Sequence, residues 1–172
     1  SRRDLSKIFL VWNSNSPLTN QHKRNAISTK MSSWTREVFQ DHESLFQNVF
    51  GAKAVSKMDP HEFVAKLYLH LDGTKGLLGQ ASLNKLFSSG EDKEFSETYS
   101  LKTKEKVHEV LNEISVLNRD TDNSLTKKDL LLTILVLEKI LENDLEISNS
   151  KNFLKKIKAY DDRLVRLSRE KH

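Results

Sequence analysis

Residues 118–129, NRDTDNSLTKKD, place an oxygen-bearing side chain at nearly every second position. Carboxylate, amide and carbonyl oxygens are the ligands that hard divalent cations prefer in proteins. The residues that would supply these oxygens are Asn118, Asp120, Asp122, Ser124 through its carbonyl, Thr126 and Asp129. Apolar residues recur at helical spacing before and after this run, so the sequence predicts an oxygen-lined loop between two helices.

This loop and its flanking helices resemble an EF-hand, whose twelve-residue loop takes ligands from positions one, three, five, seven, nine and twelve. Leu125 occupies position eight, where an apolar residue pairs one loop with another. Three positions depart from the pattern: Asn118 removes a charge, Asn123 replaces glycine, and Asp129 is one methylene shorter than glutamate. Basic residues within the run also oppose a cation. We therefore expect no bound metal, and an Asx-rich turn that caps a helix instead.

A possible partner loop lies upstream, at residues 71–82, with the sequence LDGTKGLLGQAS. Gly76 takes the position of the tight turn, and Leu78 takes the apolar position. Lys75 occupies a ligand position, where its ammonium would exclude a cation, so this loop is expected not to bind calcium. Residues 59–142 together therefore resemble a degenerate EF-hand pair.

The segment that begins NSLTKKDLLL is also similar to the acyl-carrier pattern, in which Asp-Ser-Leu opens a helix and the serine carries phosphopantetheine. Ser124 would be that serine. Asn123 stands in place of the aspartate, and the loop between the preceding helix and Ser124 is too short. We therefore expect no cofactor on Ser124.

Residue sets for other kinds of chemistry are missing from the sequence. The chain has no cysteine, which excludes disulfides, thiolate metal sites and a cysteine nucleophile. The six histidines show no metalloprotease spacing, and neither a glycine-rich phosphate loop nor a Gly-x-Ser-x-Gly elbow occurs. The sequence thus predicts a binding protein rather than an enzyme, without a small-molecule substrate.

The fold predicted from composition is mainly α, because five glycines and two prolines in 172 residues leave few of the turns that β-proteins need. The expected organisation is a small helical domain with extensions at both ends. Residues 1–31 form an extended basic arm, 32–147 a helical core and 148–172 a basic C-terminal helix. No apolar run reaches the roughly 18 residues of a membrane span.

Local signals place the helix starts. Ser33 is the expected cap of a helix that carries both Trp34 and Val49. Asp59 is the expected cap of the next helix, with Pro60 at its first position and Glu62 completing a capping box. Two further helices are predicted at 102–117 and from about 126 to 142. The core positions of the first of these two are Val107, Val110, Leu111, Ile114 and Leu117.

The last helix combines an apolar seam with a basic face. The seam, in heptad spacing, consists of Phe153, Ile157, Tyr160, Leu164 and Leu167. Such a helix packs either along a partner or back on the core of its own chain. In both cases the cations point outward.

Charge separates the ends of the chain from its middle. Residues 1–36 carry a net charge of +6, residues 151–172 one of +5, and residues 37–150 one of −7. Cations that contact phosphates release counterions, so basic ends often lie on nucleic acid. Basic ends that only keep the protein soluble are the alternative.

The Asn/Ser/Lys-rich arm, the absence of cysteine and the start at Ser1 together resemble a mitochondrion-specific large-subunit ribosomal protein of the fungal type. The start without methionine is expected from removal of a presequence or from a shortened chain, and the first would suit an organelle protein. The resemblance implies a structural component of the mitochondrial ribosome, located in the matrix, that binds ribosomal RNA and neighbouring ribosomal proteins. The phosphate contacts it implies are Arg2, Arg3, Lys7, Lys23, Arg24 and Lys30 in the arm, and Lys151, Lys155, Lys156, Lys158, Arg163, Arg166 and Arg169 in the last helix.

The alternative function is an EF-hand-like adaptor, or a weak calcium-binding protein, that holds a partner helix in an apolar groove. A calcium sensor would change its exposed apolar surface when calcium binds. A ribosomal subunit would instead sediment with the large subunit and leave it at high salt.

Overall fold

The computed structural model describes residues 19–27, 29–73, 79–88, 101–122 and 125–169, and beyond residue 160 it describes the side chain of Arg163 alone. Within these ranges all regular structure is helical, which confirms the prediction of a mainly α fold. The nine helices of the described ranges are α1 (Asn20–Ala26), α2 (Lys30–Asp41), α3 (Glu43–Phe50), α4 (Ala52–Ser56), α5 (Asp59–Leu71), α6 (Gln80–Ser88), α7 (Leu101–Asp120), α8 (Lys127–Glu142) and α9 (Ser150–Arg169). None of these helices is long and apolar enough to cross a membrane.

The chain forms two compact units, Ser1–His108 and Glu109–His172. In the first unit α5 is the central helix, and α1, α2, α3, α4 and α6 all pack against it. The core there is aromatic: the rings of Trp34 and Tyr68 meet edge to face at 5.6 Å, and both residues are buried. Edge-to-face contacts of this kind stabilise a core beyond the area they bury.

Residues 20–26 correct the prediction that 1–31 is an extended arm. They form α1, which Thr19 caps by accepting a hydrogen bond from the backbone N–H of His22. The ring nitrogen Nδ1 of His22 accepts the Thr19 N–H in return, at 3.2 Å. This reciprocal cap satisfies two donors that an isolated helix end leaves free. Residues 1–18 of the predicted arm lie outside the described part of the chain.

The start of α2 also differs from its prediction. Thr29, rather than Ser33, is the cap, and Ser32 closes a capping box with it. The helix ends at Asp41, and α3 begins at Glu43, so the single helix predicted for Trp34 to Val49 is two helices. Trp34, Val38, Leu45, Phe46 and Val49 are nevertheless all buried, because each helix keeps its own apolar periodicity.

At α5 the predicted capping box is absent. Met58 is the cap, in the left-handed conformation at φ 61°, and Asp59 already belongs to the first turn with Pro60. The carboxylate of Glu62 makes no cap hydrogen bond and pairs with Arg24 and Lys66. Glu62 therefore forms an ion pair with Arg24 of α1 and does not cap its own helix.

In the second unit α8 packs on α9. Among the described side chains of α9, Leu154 and Ile157 are buried, Phe153 is half-buried and Tyr160 is 54% exposed. The buried face of α9 therefore differs from the predicted seam, since Phe153 and Tyr160 are less buried than Leu154. The helix packs on α8 of its own chain. The side chains of Leu164 and Leu167 lie outside the described set.

The core positions predicted for α7 are confirmed. Val107, Val110, Leu111, Ile114 and Leu117 are all at most 2% exposed. The helix itself is longer than predicted, since it runs from Leu101 to Asp120. This extension takes the first three positions of the predicted calcium loop into helix.

Candidate nucleic-acid interface and the 118–129 segment

Asn118, the first position of the predicted ion-binding loop, forms a hydrogen bond within the protein. The residue lies within α7 and is 2% exposed. Its Oδ1 accepts the backbone N–H of Leu125 at 3.2 Å. Because Leu125 is also buried, this bond satisfies a donor that water does not reach. Asn118 therefore closes the turn between α7 and α8.

Asp129, the twelfth position of that loop, completes the capping box of α8, whose N-cap is Thr126. Its Oδ2 accepts the Thr126 hydroxyl at 2.6 Å and the Thr126 N–H at 3.2 Å. In return, the Thr126 hydroxyl accepts the Asp129 N–H at 3.4 Å. The predicted helix start at Thr126 is confirmed, and the carboxylate that would close an ion site is used in the cap.

Asp120 and Asp122, the third and fifth positions, contact the first turn of α9. The Ser150 hydroxyl donates to Asp120 Oδ2 at 3.0 Å, and Lys151 Nζ lies 3.3 Å from Asp122 Oδ2. Alternate acids of the turn therefore bind consecutive residues of the helix. These exposed contacts place the start of α9 beside the α7–α8 turn.

The described carboxylates of the 118–129 segment thus have separate partners. Across the described ranges, no three His, Cys, Asp or Glu side chains are grouped as metal ligands. The EF-hand resemblance is not confirmed. Ser124 and residues 74–78, which include Lys75, Gly76 and Leu78, lie outside the described residues. The expectations that Ser124 carries no cofactor and that residues 71–82 bind no calcium consequently stay predictions.

Arg24 corrects the predicted set of phosphate contacts. Its side chain is enclosed in the first unit, where Nη2 lies 2.9 Å from Glu62 Oε2. The same guanidinium also donates to Gln21, Gln80 and Asn84, at 2.8 to 3.0 Å. Burial lowers the pKa of Arg24, and the Glu62 carboxylate opposes that change. Arg24 is therefore a core residue rather than a surface cation.

The remaining arm candidates divide into two groups. Lys23 and Lys30 are exposed on α1 and α2. Arg2, Arg3 and Lys7 lie outside the described residues. Within the described residues of the arm, Lys23 and Lys30 are the exposed candidates for a phosphate contact.

Several cations of α9 share the surface of the second unit. Lys151, Lys155, Lys156 and Arg163 are exposed, and Lys158 is half-buried. The side chains of Arg166 and Arg169 lie outside the described set. Because Leu154 and Ile157 are buried, the cations remain on the solvent side of a docked helix. An open groove of about 320 Å³ beside them is lined by Thr121, Asp122, Lys151, Leu154, Lys155 and Lys158.

His61, in the first unit, was not predicted to have a role. His61 is 6% exposed and stacks on Phe39, with ring centroids 4.9 Å apart. Burial, followed by the nearby charges of Arg36 and His22, lowers the pKa of His61 to about 4. Its position beside Pro60 in a helix start carries no signal of this environment, which depends on residues distant in sequence.

Comparison of the chain with protein-family models, with curated proteins and with solved structures gives no match. Function is therefore inferred from the sequence, charge and packing of this chain. The α9 surface is the candidate site, because it combines a fixed helix, exposed cations and a concave groove.

Proposed function

We propose that the chain is a structural, RNA-binding subunit of a ribonucleoprotein particle, and that the basic surface of α9 contacts the RNA. The large subunit of the mitochondrial ribosome is the particle that the sequence resemblance implies, with ribosomal RNA and neighbouring proteins as partners. The mitochondrial matrix is then the compartment. The role is architectural and includes no catalysis.

The observation that carries this proposal is the division of α9 into two sides. Leu154 and Ile157 are buried, whereas Lys151, Lys155 and Lys156 are exposed. A cation on a helix that is already packed loses less freedom on binding than one on a disordered tail. The supporting surface is therefore preorganised for a polyanion.

The length of the basic surface suits a nucleic-acid backbone. From Lys151 to Arg163 the helix axis advances about 18 Å at 1.5 Å per residue. Contacts from lysine and arginine to phosphate position RNA without reading its sequence. We therefore expect binding that depends strongly on salt and weakly on sequence.

The binding test uses the full chain and a short RNA hairpin, with fluorescence anisotropy measured over a range of salt concentrations. Replacing Lys151, Lys155 and Lys156 together by glutamine should weaken binding at least roughly tenfold and reduce the slope of log K against log salt by about 2 to 3. A matched control replaces three exposed lysines of the first unit, Lys53, Lys57 and Lys102, and removes the same charge. The control should change binding much less. Equal losses in both variants, or no RNA binding by the wild-type chain at low salt, would overturn the proposal.

The particle test follows a tagged full-length chain through a density gradient of mitochondrial extract. The chain should sediment with the large ribosomal subunit at low salt and return to the top of the gradient at high salt. Sedimentation with a different RNA-containing particle would contradict the ribosomal assignment and leave RNA binding standing. A chain that remains at the top at low salt would contradict membership of any large particle.

A further inference from the structure

The groove beside α9, which we call the α9 groove, is defined by Thr121, Asp122, Lys151, Leu154, Lys155 and Lys158. Its volume of about 320 Å³ lies at the lower end of the range for small-ligand sites. Leu154, at 3% exposure, supplies an apolar part of the wall. The groove therefore has room for one compact polar group of a larger ligand.

The lysines of the α9 groove share one face of the helix. Lys151, Lys155 and Lys158 are spaced by four and then three residues, which places them one above the other. Like charges at this spacing repel, and a concave surface concentrates their field. Among the described residues of the lining, three lysines accompany one carboxylate, Asp122, which is an excess of cationic side chains. This excess favours an anion and opposes a metal ion.

Asp122 and Lys151 are joined by a weak contact. Their charged atoms are 3.3 Å apart, and the side chains are 86% and 70% exposed, respectively. Water and salt screen a pair of this exposure, so opening it costs little. A lysine carries three donors, and one that leaves Asp122 can turn all of them toward another acceptor.

We propose that the α9 groove binds one phosphodiester of the RNA backbone, with Lys151 and Lys155 as its direct contacts. This inference rests on the proposed RNA-binding function and deepens it. The entering phosphate takes Lys151 from Asp122, and Asp122 limits the affinity because it adds a like charge beside the phosphate. The half-buried Lys158 contributes positive charge at the wall.

The role of Asp122 gives the sharpest test. Asp122→Asn removes the competing charge and suits the backbone, because Asn tolerates the left-handed conformation found at φ 57°. The full-length D122N chain should bind the RNA hairpin roughly two- to threefold more tightly than the wild type, since one like charge is removed. Lys155→Gln should weaken binding roughly three- to tenfold and reduce the salt slope by about 1. Lys155→Arg should keep near wild-type affinity, and Lys53→Gln, the matched control, should change neither quantity.

The outcomes separate the groove from the general proposal. If the wild type binds RNA with a steep salt slope and K155Q, K151Q and D122N do not alter it, the groove inference fails and RNA binding stands. If the wild type does not bind RNA, both fail.

Two further ligands identify the source of the phosphate. Inorganic phosphate should compete with RNA less well for K155Q than for the wild type if the groove recognises the phosphate group itself. Tighter, D122N-sensitive binding to vesicles containing phosphatidylserine than to RNA would assign the groove to a lipid headgroup and overturn the inference. Circular dichroism of each variant verifies that helicity is retained.

Discussion

The guanidinium of Arg24 and the carboxylate of Glu62 lie 2.9 Å apart, and they are unequally enclosed: the arginine side chain is 4% exposed and the glutamate side chain 24%. Glu62 has a second cationic partner, Lys66, at 2.8 Å. Arg24 otherwise relies on neutral oxygens of side chains such as Gln80. Glu62 thus has two cationic partners, whereas its carboxylate is the anion that pairs with Arg24. The contacts of Arg24 join α1 to α5 and α6.

Neutralising Glu62 should therefore destabilise the first unit strongly. Glu62→Gln leaves Arg24 buried without a counter-charge, and we expect the free energy of unfolding to fall by about 2–3 kcal/mol. Lys66→Gln removes the other cation from the same carboxylate. That pair is half-exposed within one helix, so its loss should cost about 0.5 kcal/mol or less. Urea unfolding of the two variants measures the difference, and equal effects would show that Arg24 does not depend on Glu62.

The environment of Arg24 shows which part of the fold local sequence does not encode. The buried positions of α7, such as Val107 and Leu111, follow from a spacing contained within one helix, and they were predicted correctly. Arg24 contacts Glu62, Gln80 and Asn84, which lie 38 to 60 residues away in the chain. Its own neighbours, rich in Asn and Ser, indicate an exposed arm. Burial of a charge depends on such distant partners.

The candidate site shows the same division. The start of α8 near Thr126 was predicted from the local pattern, and Thr126 and Asp129, three positions apart, form its capping box. Alternating oxygens at Asp120 and Asp122 are equally compatible with a metal ion and with hydrogen-bond donors. The donors that the structure supplies belong to α9, about 30 residues later. The oxygen pattern therefore locates a polar turn without identifying its partner.

Acid should destabilise the first unit through His61. The pKa of His61 is lowered from 6.5 to about 4, mainly by burial, so the folded state holds the neutral ring more firmly than the unfolded chain does. The stability associated with the neutral ring of His61 is fully present above about pH 6.5, and it is lost as the pH falls toward 4. Over that interval the free energy of unfolding should decrease by roughly 3 kcal/mol on account of this group.

His61→Phe tests this assignment, because the variant keeps a flat ring to stack on Phe39 and cannot take up the proton. Urea unfolding at several pH values between about 7 and 4 should give a shallower pH dependence for the variant than for the wild type. His42, whose pKa burial also lowers, is present in both chains and cancels in the comparison. Parallel curves for the two proteins would assign the acid sensitivity to other groups.

The turn between α7 and α8 should depend on Asn118. Asn118→Ala removes the acceptor of the buried Leu125 N–H and should lower the free energy of unfolding by about 1–3 kcal/mol. Asn112 is an exposed asparagine on the same helix and provides the matched control. Asn112→Ala should change stability by less than about 0.5 kcal/mol. If both substitutions have the same small effect, the hydrogen bond to Leu125 does not hold the turn.

Calcium should neither bind tightly to the 118–129 segment nor stabilise it. Asp129 is bonded to Thr126 and Asn118 to Leu125, so a cation would have to break these two bonds to reach the first and last positions of the loop. We expect no heat in calorimetric titration at micromolar calcium and no change in the unfolding midpoint. A ligand present at 100 times its dissociation constant would instead add about 2.7 kcal/mol to the free energy of unfolding. A measurable heat that disappears in Asp120→Ala would contradict this prediction and restore the ion-binding interpretation of the loop.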